Sequence, residues 1–232
     1  MTSVLFSLLR LVAFPLCCTF LAGQVPSIKE IVERFDAAQA KADTLQAPFT
    51  LSIKRAMLQA PSIIKGMFYL SGSDCAHFAF SPSEDMVIHV TDRAFVSYSP
   101  LKKKGEMVKT GISKSINRKS LGLGYQLSSF SDYFKMEVSE SKDAPGVLEV
   151  TLTPRSISFK KKIEKIQVWI DRNTYLPKGL TWIEKGGDTW LLELGALQVN
   201  RAIPASIINF AVPAGTPMQS EFSFFSAKKS GH

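Results

Sequence analysis

From Ile28 the apolar residues Ile28, Ile31, Val32, Phe35 and Ala38 recur at helical spacing, with Lys29, Glu30, Glu33, Arg34 and Asp36 on the opposite side. The pattern predicts an amphipathic helix over 28–42. Ser27 stands at its N-cap and Glu30 three residues on, the capping-box arrangement. Beyond Pro48 the period falls to two. Phe49, Leu51 and Ile53 alternate with Thr50, Ser52 and Lys54, which predicts a strand with one wet face. Segments 64–71, 76–80, 86–90 and 95–98 continue in the same way. Pro82, Thr91-Asp92-Arg93 and Ser99-Pro100 separate them as turns. Short strands in succession with no helix between them predict an antiparallel meander.

The stretch 102–131 is rich in Lys, Gly and Ser and reads as a strand or loop leading to a short helix over 121–130. Strands are expected again over 134–138, 147–153, 165–170, 179–184, 190–200 and 210–212. Asp171-Arg172-Asn173 reads as a turn. Lys185-Gly186-Gly187-Asp188 reads as a hairpin connector, because glycine accepts positive φ without a steric penalty.

Residues 1–23 have a different character. They carry one charge, Arg10, then the apolar run 11–22 ending at the small pair Ala22-Gly23, the layout of a secretory signal peptide. The run is short for a membrane span and Pro15 interrupts it. Cys17 and Cys18 lie inside it, and neither follows the small residue that lipid modification of a bacterial lipoprotein requires. The expected mature chain is residues 24–232, with Cys75 as its sole cysteine and no internal disulfide.

Composition narrows the class. At 232 residues, 45% of them hydrophobic, the chain is large and apolar enough to bury a core, which argues against intrinsic disorder. The formal charge of +8 falls to +7 once Arg10 is removed, a balance that favours anionic surfaces. The runs Lys102-Lys103-Lys104, Lys160-Lys161-Lys162 and Lys228-Lys229 read either as solvated strand ends or as docking points for an anionic membrane face or an acidic partner. No nucleic-acid recognition motif is present, so nucleic acid is not an expected partner.

Catalytic signatures are weak. Cys75 and His77 share a strand face beside Asp74, but no second pair of ligands is spaced to complete a metal site. No Gly-x-Ser-x-Gly elbow occurs, and Gly122 and Gly124 lack the rest of a phosphate loop. The inward strand faces are apolar where paired carboxylates would need acidic positions. Neither an enzyme nor a cofactor is expected.

The informative excess is of large apolar side chains. Phe49, Leu51, Ile53, Phe68, Leu70, Phe78, Phe80, Phe95, Trp169, Trp182 and Trp190 all fall in predicted strands. They describe either a packed core or an apolar cavity that takes lipid, where each buried methylene gains about 0.8 kcal/mol.

The order of elements resembles the periplasmic outer-membrane lipoprotein carrier family, LolA, over roughly 28–218. The predicted first helix leads into Leu45-Gln46-Ala47-Pro48-Phe49-Thr50, as the family's first helix leads into its first strand. Gly66-Met67-Phe68-Tyr69-Leu70 is similar to its Gly-x-Phe/Leu-x-Leu/Val strand, and Phe78 and Phe80 fall where it places apolar cavity residues. Phe95-Val96-Ser97-Tyr98-Ser99-Pro100 resembles its Tyr-Asp/Asn-Pro turn. Ile166-Gln167-Val168-Trp169-Ile170-Asp171 followed by Thr174-Tyr175-Leu176-Pro177 resembles a further family passage. The Gly186-Gly187 hairpin, Val199-Asn200, Phe210 and Val212-Pro213-Ala214-Gly215-Thr216 then follow in the expected order.

The resemblance implies an incomplete, strongly curved antiparallel β-barrel closed by a few α-helices over an apolar cavity, in a single domain over 24–232. It implies a periplasmic chaperone that shields the acyl chains of lipoproteins between inner and outer membrane. Phe49, Leu51, Ile53, Phe68, Leu70, Phe78, Phe80, Phe95 and Trp182 are the expected acyl-chain-binding residues. The expected partners are acylated lipoproteins, an inner-membrane lipoprotein-releasing transporter and an outer-membrane acceptor or membrane surface, with the chain itself monomeric. A lipid-binding sensor or interaction module on the same fold is the alternative. One departure stands out: Gly72-Ser73 occupies the place of the family's Arg-Pro, whose arginine helps hold the helical lid, and Arg55 is the candidate substitute.

Overall fold

The computed structural model describes residues 25–72, 75–91, 93–109 and 126–220. Helix α1 (Ile28–Ala40) starts where the capping box places it, with the Glu30 amide donating to Ser27 Oγ at 3.3 Å. Its apolar stripe buries Ile31 and Phe35. The strands are β1 (Thr44–Lys54), β2 (Ser62–Ser71), β3 (Cys75–Phe80), β4 (Val87–Thr91), β5 (Ala94–Ser99) and β6 (Lys104–Lys109). They continue with β7 (Phe134–Glu140), β8 (Val147–Pro154), β9 (Ile163–Asp171), β10 (Pro177–Glu184), β11 (Thr189–Leu194), β12 (Gln198–Val199) and β13 (Met218–Gln219).

These strands form one sheet in the order β13-β6-β5-β4-β3-β2-β1-β11-β10-β9-β8-β7, with β12 pairing off this path onto β1. Two antiparallel meanders, β1 to β6 and β7 to β11, are therefore joined through the β1–β11 ladder, from Phe49 opposite Leu194 to Lys54 opposite Thr189. Among the described residues only the two-residue β13 runs parallel to its neighbour, β6. A sheet this wide cannot stay flat, because strand twist accumulates. It curls around its apolar face and stays open, the incomplete barrel expected from the sequence.

Two hydrophobic clusters line that face. The first spans β1 to β5 with β10 and β11. The second spans β7 to β9, where α1 covers it with the 3-10 turn Leu127–Phe130. That turn is tied to the helix by Asp36, whose carboxylate accepts from the Leu127 amide at 2.6 Å and the Ser128 amide at 3.3 Å.

Three sequence expectations shift. The segment 210–212 is not a strand; it runs beside the sheet after a helical turn at Ala205–Ile208. The long strand expected over 190–200 breaks into β11 and β12, with the Gly195 amide donating to the Pro48 carbonyl at 2.8 Å. Of the helix expected over 121–130, only Leu127–Phe130 falls among the described residues with regular structure, as a 3-10 turn. The leader expected over 1–23 lies outside the described residues. Among the described residues no helix is long and apolar enough to cross a membrane.

Candidate functional site

Strand register carries the apolar face across the sheet. Phe49 on β1 lies opposite Gly66 on β2, which lies opposite Phe80 on β3. One step along, Ala47, Phe68, Phe78 and Ile88 form the next row, and Leu45, Leu70, Ala76, Val90 and Phe95 the row after that. Gly66 is where the rings close in: a Cβ there would meet the Phe49 ring and the Ala79 carbonyl. Phe49 packs edge-on to Phe78 and Phe80 at 5.7 and 5.4 Å between centroids, and Phe68 lies 5.0 Å from Phe78.

All the candidate residues from the sequence fall on this one face. Phe49, Leu51, Ile53, Phe68, Leu70, Phe78 and Phe95 are buried within the first cluster, and half-buried Phe80 and Trp182 pack against it. Trp182 also packs against the second cluster and so joins the two. Its indole N–H is buried without a hydrogen-bond partner. The structure adds residues the sequence reading left out, Ile88, Val90, Leu180, Leu192 and Leu194, and with Trp190, already counted among the large apolar strand residues, they complete the same surface. Their alternation was visible in the sequence. Which side each alternating set would face required the pairing of β1 with β11.

On β5 the row of Ile88 turns polar at Ser97, which donates to Glu106 at 3.2 Å, while the row of Phe95 continues to Val108 on β6. In this conformation the rings fill the face by packing on one another.

The expected lid arginine does not reach the helix. Arg55 donates to Asp188 at 2.7 Å and stacks over the Trp190 ring at 4.7 Å. That contact, with the Ala56 amide, holds the Asp188 carboxyl below its ordinary value. Gly72 closes a turn at φ +54°, its amide donating to the Asp43 carbonyl at 2.8 Å. The helix supplies the link itself: Arg34 on α1 donates to the Tyr175 hydroxyl at 3.1 Å, in the β9–β10 turn.

The opposite face of β3 and β4 carries Cys75, His77 and His89. The two imidazoles meet Nδ1 to Nδ1 at 3.1 Å, so one ring donates and the other accepts. Phe210 lies 5.4 Å from each ring and covers them. Burial, then repulsion from His89, lowers the pKa of His77 to about 4; burial lowers that of His89 and raises that of the Cys75 thiol. Among the described residues no group of three or more His, Cys, Asp or Glu side chains is arranged to hold a metal ion.

No protein-family model matches the chain, and no curated protein matches it by sequence. Solved structures do match. An uncharacterized conserved protein from Thermus thermophilus is similar with a TM-score of 0.50 at 11% identity, over 83% of this chain and 98% of that one. The LolA superfamily protein NE2245 from Nitrosomonas europaea matches with a TM-score of 0.42 at 12% identity, over 79% and 98% of the two chains. MucB matches with a TM-score of 0.49 at 12% identity, over 79% of this chain and 62% of that one. At such identities the likeness is one of fold alone. In its architecture this chain is a curved open antiparallel sheet with helical segments against its apolar face, the fold it shares with the Thermus thermophilus protein.

Proposed function

We propose that the chain is a periplasmic lipid-binding protein that takes acyl chains on the apolar face of its open sheet. In the finer reading it carries acylated lipoproteins from the inner to the outer membrane. The observation that carries this is the unbroken apolar surface running from Phe95 on β5 to Leu148, Val150 and Leu152 on β8, joined at Trp182. Moving an acyl chain between such a face and a membrane makes and breaks no covalent bond, so the reading needs no catalytic group and no cofactor. Burying ten methylenes is worth on the order of 8 kcal/mol. The ring contacts an entering chain displaces are worth about 0.5–1.5 kcal/mol each. Exchange of ring packing for acyl packing is therefore favourable, and rotation of Phe49, Phe78 and Phe80 is the motion it requires. The unpartnered indole N–H of Trp182 supplies a donor for an acyl carbonyl.

The test has two stages. The purified protein is first titrated with a fluorescent fatty acid in the absence of any bilayer, then added to spheroplasts holding labelled lipoproteins. Saturable binding followed by release of soluble label is expected, with Phe78→Glu and Phe80→Glu abolishing both. Trp182→Phe keeps an aromatic ring but removes the N–H donor together with the five-membered ring; it should weaken binding about tenfold or more while leaving the fold intact. Absence of fatty-acid binding overturns the reading. Binding without release removes the carrier role and leaves a lipid-responsive sensor or interaction module.

A further inference from the structure

In an antiparallel sheet, loops emerge alternately at the two ends of the strands. The register places the connections 55–61, 81–86, 100–103, 155–162 and 185–188 on the same rim. This rim gathers features that lie far apart in sequence. Both lysine runs of the described chain sit there: Lys102, Lys103 and Lys104 after β5, and Lys160, Lys161 and Lys162 before β9, with Lys185 in the hairpin beside the latter. All of these lysines are exposed.

Among the described residues the most exposed large apolar side chains lie on the same rim. Met57 is 96% exposed, Leu101 79%, Ile157 75%, Leu58 57% and Ile63, one residue into β2, 52%. The next in order, Val25, reaches only 41%. The loops that carry them are laced together. Asp85 accepts from the Ser99 hydroxyl and from the Leu101 amide, the latter at 2.7 Å. Asp188 accepts from Arg55 and from the Ala56 amide at 2.9 Å, and the Lys185 amide donates to the Lys162 carbonyl at 3.0 Å.

Several carboxylates at this rim are already engaged: Asp85 and Asp188 as above, and Glu184 by the Trp190 indole at 3.1 Å. Glu84 and Glu164 remain exposed. These five carboxylates keep their charge, but they stand against Arg55, Arg155 and the seven lysines, so the rim is net positive. The opposite rim is mixed, with Arg172 paired to Glu140 and Lys178 to Asp171.

We propose that the lysine-bearing rim is a docking surface for an anionic phospholipid membrane. Lys160 to Lys162, Lys185 and Lys102 to Lys104 meet the headgroups, while Met57, Leu58, Leu101 and Ile157 enter the interface between them. A protein partner fits this surface less well, since protein interfaces deplete lysine at their cores and favour aromatic and arginine anchors. None of the exposed apolar side chains here is aromatic, and they stand on separate loop tips among flexible cations, an arrangement suited to a fluid anionic surface. The inference stands apart from acyl-chain binding on the apolar face.

Co-sedimentation of the purified protein with vesicles tests it. One set is phosphatidylcholine alone; the other contains about one phosphatidylglycerol in three. Binding to the mixed vesicles only is expected, falling as salt is raised from about 0.1 M to about 1 M and the screening length shortens. Lys160→Glu/Lys161→Glu/Lys162→Glu should lower affinity by about fivefold or more per position. Met57→Ser/Leu58→Ser should weaken what remains at high salt, and a Met57→Trp reporter should shift to the blue on vesicle addition. Circular dichroism checks that these loop variants keep the fold. Lys142→Glu, on the opposite rim, should bind as the parent does. Failure to bind anionic vesicles at low salt overturns the proposal, as does equal binding to both vesicle types, charge reversal without effect, or association with a soluble protein in place of the vesicles. Phe78→Glu should lose fatty-acid binding and keep sedimentation, and the lysine reversal should do the opposite, so the two readings fail separately.

Discussion

His77 is buried at 2% exposure against His89, with Tyr69, Cys75 and Phe210 around it, and none of these offers a negative charge to an imidazolium. Its folded pKa of about 4 lies below the ordinary value near 6.5. As pH falls, the unfolded chain therefore takes up this proton first. The associated stability is complete above about pH 6.5 and is lost as pH falls towards 4, by on the order of 3 kcal/mol. The lowered carboxyls Asp85 and Asp188 act at lower pH, below their ordinary values. Urea midpoints measured between pH 7 and pH 4.5 should fall for the parent and change less for His77→Gln/His89→Gln. A parent curve with the same slope as the variant would refute this. Gly66 is the second residue-scale constraint. In Gly66→Ala the new methyl meets the Phe49 ring and the Ala79 carbonyl, and the resulting overpacking should lower stability by about 1–3 kcal/mol in the same urea assay.

At the scale of elements, α1 and the C-terminal segment are attached by few, identifiable contacts. Phe35 is almost wholly buried against the second cluster, so Phe35→Ala should lower the unfolding free energy by about 3–5 kcal/mol. The helix was legible in the sequence because its period, cap and stripe are local properties of 28–40. The segment 210–212 misled for the converse reason. Phe210 and Val212 alternate as a strand would, but Pro213 follows without an amide to extend a ladder, and Phe210 is used as a cover over the histidine pair. Phe210→Ala should therefore admit water to the pair and raise the His77 pKa from about 4 towards its ordinary value. An NMR titration of the imidazole protons checks this, and an unshifted midpoint would show that the ring is not the cover.

At the scale of the molecule, the sheet divides its work between a face and a rim. The face gathers apolar residues of β1 to β5 and β7 to β11, while the rim gathers loops from both meanders. Because the two surfaces share no residues, combining Phe78→Glu with the triple lysine reversal should give additive losses in the fatty-acid and vesicle assays. Coupling between them would mean that docking opens the face. The alternation of Phe49, Leu51 and Ile53, of Phe68 and Leu70, and of Phe78 and Phe80 already stated that one side of each strand avoids water, and Gly186 and Gly187 marked a turn. These are short-range constraints, carried by side-chain period and backbone freedom. What they left open was the partner of each side. The β1–β11 ladder set the two meanders edge to edge and put Trp182 between two clusters. The same antiparallel order brought Lys102 to Lys104, Lys160 to Lys162 and Met57 to one rim, and placed His89 opposite His77 beneath Phe210. Such neighbours are set by long-range strand pairing, whose register follows from burial of the whole apolar face and not from any one segment.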